Sequence, residues 1–247
     1  MCDIFALSSG VNYTAQQYLP IFAEKSRRNM NGWGIGFFRD NQALIEKSSE
    51  KVFSEEQVHE SFQRLARVVD SRIIVSHISC PLSGGRHVAH NHPFSLSFLD
   101  HVWLFVHVGL IDGIEDYQTS QEPKIDVDVY PARVFEYLRD QLVSHLRYTP
   151  YGSLGRTLVR GIRNLVADYP GHYSFFLANE SVLFAFCNFR QLMLLRETES
   201  YGNSLILTTI KEGLSDKEWI TISPEPGTLG KLLVVAGPDL LYLGDVV

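Results

Sequence analysis

Between Tyr130 and Val247 the chain changes period once and does not change back. Pro131 suits the first turn of a helix, where its missing N–H costs nothing. Val134, Phe135, Leu138, Leu142 and Leu146 then recur along one face over about 130–147. Ser153 is placed to cap a second helix over about 154–168, with Leu154, Leu158, Ile162 and Leu165 on its buried side. The runs that follow, Tyr173–Leu177, Leu183–Phe186, Leu192–Leu194, Leu205–Thr208, Ile220–Ile222, Leu232–Val235 and Leu240–Leu243, are short and apolar, at the spacing of a meandering antiparallel sheet. Strands first, two long helices in the middle and strands last is segregation, not βαβ alternation. It restricts the chain to an α+β layered architecture. No linker or repeat interrupts 1–247, which predicts one domain.

The first half supplies the opening strands. Cys2–Leu7 reads as a strand ending at a Ser8-Ser9-Gly10 turn, and Thr14 to about Lys25 as a helix that Pro20 must kink or start. In Gly32-Trp33-Gly34-Ile35-Gly36-Phe37-Phe38 glycines alternate with bulky residues, as in a strand whose backbone something else approaches closely, or in a glycine-rich strand entry with no ligand. Asp40-Asn41 reads as the turn into a partner strand at Ala43–Lys47. Ser54-Glu55-Glu56-Gln57 has capping-box spacing before a helix over about 55–69. Ile73–Val75 and Val102–His107 are buried β-runs, and Asp116 to Lys124 is a surface loop.

A hydrophobic share of 45% over 247 residues is ample for a large core. Twenty-two basic against 28 acidic side chains argue against a nucleic-acid surface or an anionic membrane as partner. No apolar run reaches the ~20 residues that span a bilayer. Cys2, Cys80 and Cys187 are too few and too far apart for a disulfide framework or a zinc cluster, which predicts a reducing, cytoplasmic setting. His87, His90 and His92 lie within six residues, but their spacing fits no usual ligand set. Solvated or hydrogen-bonded loop histidines are the simpler account, and neither a metal nor a cofactor is expected.

Cys2 carries the sharpest chemical implication. Removal of Met1 places a thiol and an α-amine on one residue. The amine titrates near about 7.7–8.0 and the thiol near about 8.5, so the amine is suited to accept the proton of its own side chain. That is the self-activation of N-terminal-nucleophile (Ntn) hydrolases. The plain alternative is a small hydrophobe opening a buried strand.

Taken together, Met1-Cys2-x-x-Phe5-Ala6-x-Ser8, Asn29-x-x-Gly32-Trp33-Gly34-Ile35-Gly36-Phe37, Ser76-His77-Ile78, Asn91-His92-Pro93-Phe94 and His107-Val108-Gly109-Leu110-Ile111 resemble, in order, the motifs of class II glutamine amidotransferases. The resemblance is greatest to the small stand-alone members. It implies a four-layer αββα sandwich, with Cys2 as nucleophile at the edge of a central sheet and Gly109 N–H as an oxyanion donor. Trp33, Gly34, Ser79, His92 and Val108 are implied to line the substrate pocket.

The sequence departs from the family where glutamine is gripped. Ser79 stands at the position of the arginine that clamps the substrate α-carboxylate, and the segment runs on as Pro81-Leu82 instead of Ala-Thr. Val108 stands for the asparagine of the oxyanion hole, and Tyr130-Pro131 occupies the place of the aspartate that holds the α-ammonium, with Asp126 or Asp128 as near substitutes in a shifted register. Arg86 could compensate for one loss, not three. One lost oxyanion donor costs about 10²–10³ in turnover. The expected function is therefore amide hydrolysis on a small molecule other than glutamine, with a partner enzyme or a homo-oligomer left open. The second reading is a non-catalytic binding or scaffolding protein on the same fold; metal binding through the three histidines trails both.

Overall fold

The computed structural model describes residues 2–26, 32–79, 88–127, 129–148, 153–198 and 203–247. Its elements in chain order are β1 (Asp3–Tyr13), α1 (Leu19–Lys25), β2 (Trp33–Arg39), β3 (Gln42–Ser48), β4 (Phe53–Ser54), β5 (Gln57–Val58), α2 (Glu60–Val68), β6 (Ser71–Ile78), β7 (Phe94–Phe98) and β8 (His101–Val108). They continue with α3 (Tyr130–Tyr148), α4 (Leu154–Asp168), β9 (Ser174–Ala178), β10 (Leu183–Cys187), β11 (Leu192–Glu197), β12 (Ser204–Thr208), β13 (Ile220–Ile222), β14 (Gly230–Ala236) and β15 (Asp239–Val246).

Two antiparallel sheets face one another. One runs β13-β11-β12-β1-β6-β2-β3, the other β15-β14-β10-β9-β8-β7. Three apolar clusters fill the three gaps of a four-layer stack. Phe5, Phe22, Trp33, Ile35 and Phe62 pack the first sheet against α1 and α2. Ile4, Ala6, Val75, Leu104, Val106, Val108, Phe176 and Leu194 fill the space between the sheets. Phe105, Phe135, Leu138, Leu158, Ile162 and Phe175 pack the second sheet against α3 and α4. This is the αββα order expected, and it follows from the period-2 alternation of the strands, which sends successive side chains to opposite gaps.

The long helices form where the spacing placed them. Ser153 accepts a hydrogen bond from Arg156 N at 3.2 Å as the cap of α4. Asp40 and Asn41, at φ 51° and 62°, make the β2–β3 turn.

Four local expectations need correction. β1 does not stop at Ser8-Ser9-Gly10 but continues to Tyr13, with its register shifting after Ser8. Pro20 lies in the first turn of α1, so it starts a helix shorter than expected. Ser54 caps nothing: Glu55 and Glu56 take positive φ in a tight β4–β5 hairpin, and α2 begins at Glu60 behind His59. The late strands are not one meander, because β11–β13 join the first sheet while β9, β10, β14 and β15 belong to the second. No helix among the described residues is long and apolar enough to cross a membrane.

Candidate active site

Cys2 lies at the head of the central strand of the first sheet. β1 pairs with β6 in the register Asp3↔Ile78 and Ile4↔His77, so strand alternation places Cys2, Ile4, His77 and Ser79 on the inter-sheet face. Cys2 packs, half-buried, on the apolar cluster that contains Val108 of the facing sheet.

The main chain at Cys2 is pinned from below. Arg190 donates to the Cys2 carbonyl and its other terminal nitrogen pairs with Asp3 Oδ1 at 2.6 Å. Thr209 Oγ1 donates to the same carboxylate at 3.0 Å. Burial raises the Asp3 pKa above the ordinary carboxylate value, and the Arg190 charge opposes that rise without cancelling it. Removing one partner of such a pair strands a buried charge. Replacement of Arg190 by Met is therefore expected to cost about 3 kcal/mol in a urea melt. Pairing it with Asp3→Asn should recover part of the loss, because the stranded carboxylate is gone.

Ser79 is a node in a polar chain. Its hydroxyl lies 3.3 Å from His77 Nδ1 and 3.2 Å from Asn91 Oδ1, and Asn91 Nδ2 donates to Ser48 O at 2.8 Å. Gly32, at φ 105°, is required beneath it: a Cβ there would lie 2.3 Å from Asn91 Nδ2. Gly34 pairs with His77 on one side and Lys47 on the other, and the His92 carbonyl sits where its Cβ would be, at 2.0 Å. The His92 ring lies over His77 with centroids 4.2 Å apart.

His77, His92 and His107 are all buried. Burial drives His77 and His107 to about 3 and His92 well below its usual value, with repulsion among the three and from Lys47 adding to the shift at His77 and His92. They are neutral at pH 7, suited to hydrogen bonding and not to supplying positive charge.

Val108 places its isopropyl group in the inter-sheet core. Gly109 follows at φ 156°, with Tyr130 Oη donating to its carbonyl at 2.8 Å; a Cβ on it would collide with the His172 carbonyl at 1.7 Å.

The indole of Trp33 does not share this face. It lies in the helix-side gap, edge-on to Phe62 at 5.2 Å, because Trp33 and Gly34 point opposite ways. His90 is exposed while His92 is buried, and His87 lies outside the described residues with Cys80 and Arg86. Among the described residues no group of three His, Cys, Asp or Glu side chains could hold a metal ion. Asp126 is exposed, and Asp128 is outside the described residues.

The chain matches the model of the class II glutamine amidotransferases over residues 1–209. It belongs to that family. Solved structures agree on the fold of this amidotransferase-family chain. A predicted glutamine amidotransferase from Pseudomonas aeruginosa is 16% identical with a TM-score of 0.67, covering 98% of this chain and all of its own. A glutamine aminotransferase class-II domain protein from Silicibacter pomeroyi is 13% identical with a TM-score of 0.60, covering 98% of both chains. Glutamine phosphoribosylpyrophosphate amidotransferase from Bacillus subtilis is 11% identical with a TM-score of 0.65, covering all of this chain and 49% of its own. No curated protein matches the sequence.

The Asp3–Arg190 pair and Lys47 were not singled out from sequence. Asp3 left one signal, a carboxylate in an otherwise apolar strand; Arg190, 187 residues away, left none.

Proposed function

We propose that this chain is an amidohydrolase whose nucleophile is Cys2 after removal of Met1, acting on an amide other than glutamine. The observation that carries the reading is the pinned head of β1: Arg190 fixes the Cys2 carbonyl while the thiol faces the gap that holds Val108 and leads to Gly109. The α-amine takes the thiol proton as sulfur attacks the amide carbon. The amine then returns that proton to nitrogen as the C–N bond breaks, and ammonia leaves. Water hydrolyses the thioester, giving a carboxylic acid and restoring the thiol. Gly109 N–H is the donor assigned to the oxyanion, and Val108 supplies no second one.

Ser79 and Val108 argue against glutamine. The first is committed to His77 and Asn91, and the second is apolar where an amide donor would be needed.

Intact-mass spectrometry should show Met1 removed, and peptide mapping should show Cys2 alkylated well before Cys187. Burial pushes the Cys187 thiol up to about 12, which makes it an internal standard for an inert cysteine. Glutamine should release no measurable ammonia. Retention of Met1, or equal labelling of the two cysteines, favours the scaffolding reading; ordinary turnover on glutamine would refute the reading of Ser79 and Val108.

A further inference from the structure

Lys47 has no role in the proposed amide chemistry. It lies on β3, the edge strand of the first sheet, in the row Lys47↔Gly34↔His77↔Ile4, and so shares the inter-sheet face with Cys2 and Ser79. Its Nζ sits 4.8 Å above the ring of Phe94 on β7, the edge strand of the opposite sheet. Among the described residues it has no ion pair and no hydrogen bond. The titratable groups facing it are His77 and His92, both held neutral. A partly buried ammonium without a counter-ion is costly, and an aromatic face returns only part of what water supplied.

We infer that Lys47 is the anion-recognising residue of this site, and that the substrate is an amide carrying a carboxylate and no adjacent ammonium. The inference rests on the proposed function, whose substrate class it names. It also accounts for the departures from the family: with serine in the arginine position, the carboxylate is gripped from the sheet edge instead. Lys47 stands three strand spacings from Ile4, about 14 Å between backbones, and Cys2 lies two residues further along β1. The ligand is therefore longer than glutamine. Burial lowers Lys47 to about 8, so its charge is present at neutral pH and lost above.

The test uses adipamate and glutaramate, ω-amido carboxylates without an amino group, and the uncharged adipamide. Each is measured for protection of Cys2 against N-ethylmaleimide and for thermal stabilisation of the protein. In the wild type adipamate should act at about tenfold lower concentration than adipamide and better than glutaramate, with the advantage fading above pH 8. Lys47→Met should abolish the difference while leaving the maleimide rate intact, and Lys47→Arg should keep it. Equal action of acid and diamide in the wild type, or an unchanged preference in Lys47→Met, overturns the inference. If Cys2 reacts no faster than Cys187, the nucleophile is refuted instead, and the thermal shifts with the same ligands still decide whether Lys47 binds the anion.

Discussion

The protein should unfold in mild acid, between about pH 5 and pH 4. His77, His92 and His107 are buried and held neutral in the folded chain, two of them at about 3, against about 6.5 for an exposed imidazole. Between those values the unfolded chain binds protons that the folded chain refuses, so stability falls as pH falls and is unaffected above about 6.5. Each imidazole contributes about 1.4 kcal/mol per pH unit, so His77 and His107 together remove about 4 kcal/mol by pH 5 and about 7 by pH 4, and His92 adds in the same direction. That reaches the range of an ordinary domain's stability, about 5–15 kcal/mol. Asp3 acts in the opposite sense, since its raised pKa makes the folded chain the better proton acceptor at low pH, but it is one group against three. Circular dichroism against pH gives the midpoint. His107→Phe fits the aromatic surroundings of Phe105, Tyr130 and Tyr173 and should move the midpoint about one unit lower by removing one of the three protons. A protein whose urea stability is the same at pH 4.5 and pH 7 would refute the account.

None of that acid sensitivity was legible in the sequence, because burial of a histidine is a tertiary fact. His77 and His107 each lie in an apolar strand, and nothing local says that His77 faces the second sheet while His107 faces the helices. What was legible was periodicity. The two long helices, the Ser153 cap and the Asp40-Asn41 turn formed as read, since local pattern alone decides them. β1 overran its Ser-Ser-Gly stop because β6 and β12 pair with it through that region, and tertiary pairing overrides a weak local break. The Ser54 capping box failed because both glutamates accept positive φ and a hairpin satisfied the backbone first. The division of the late strands between two sheets was hidden for a related reason: buried strands of either sheet look alike when both faces are apolar. For the site, the motifs brought Cys2, Gly34, Ser79 and Val108 to the inter-sheet region. They misdirected Trp33, since motif adjacency says nothing of which side of a strand a residue takes.

That alternation makes the two neighbouring glycines of β2 a sharp pair of tests. Gly34→Ala places a methyl group 2.0 Å from the His92 carbonyl and 3.0 Å from Pro93 Cδ, a collision with main chain that cannot turn aside. Gly36→Ala meets Leu104 Cδ1 and Pro93 Cγ at 3.0 Å, side-chain atoms that need yield only a few tenths of an ångström. Both glycines point into the same gap, and both lie in one strand between the same two partners. Overpacking should therefore cost about 3 kcal/mol or more at position 34 and about 1 kcal/mol at position 36, read from urea midpoints. Gly34→Ala should also push the His92 ring off His77 and, because Lys47 lies beside it, weaken any preference of the site for anions. Equal costs at the two positions would mean that the His92 backbone is free to retreat, and the close approach of the two sheets at this point would then have no part in holding the site together.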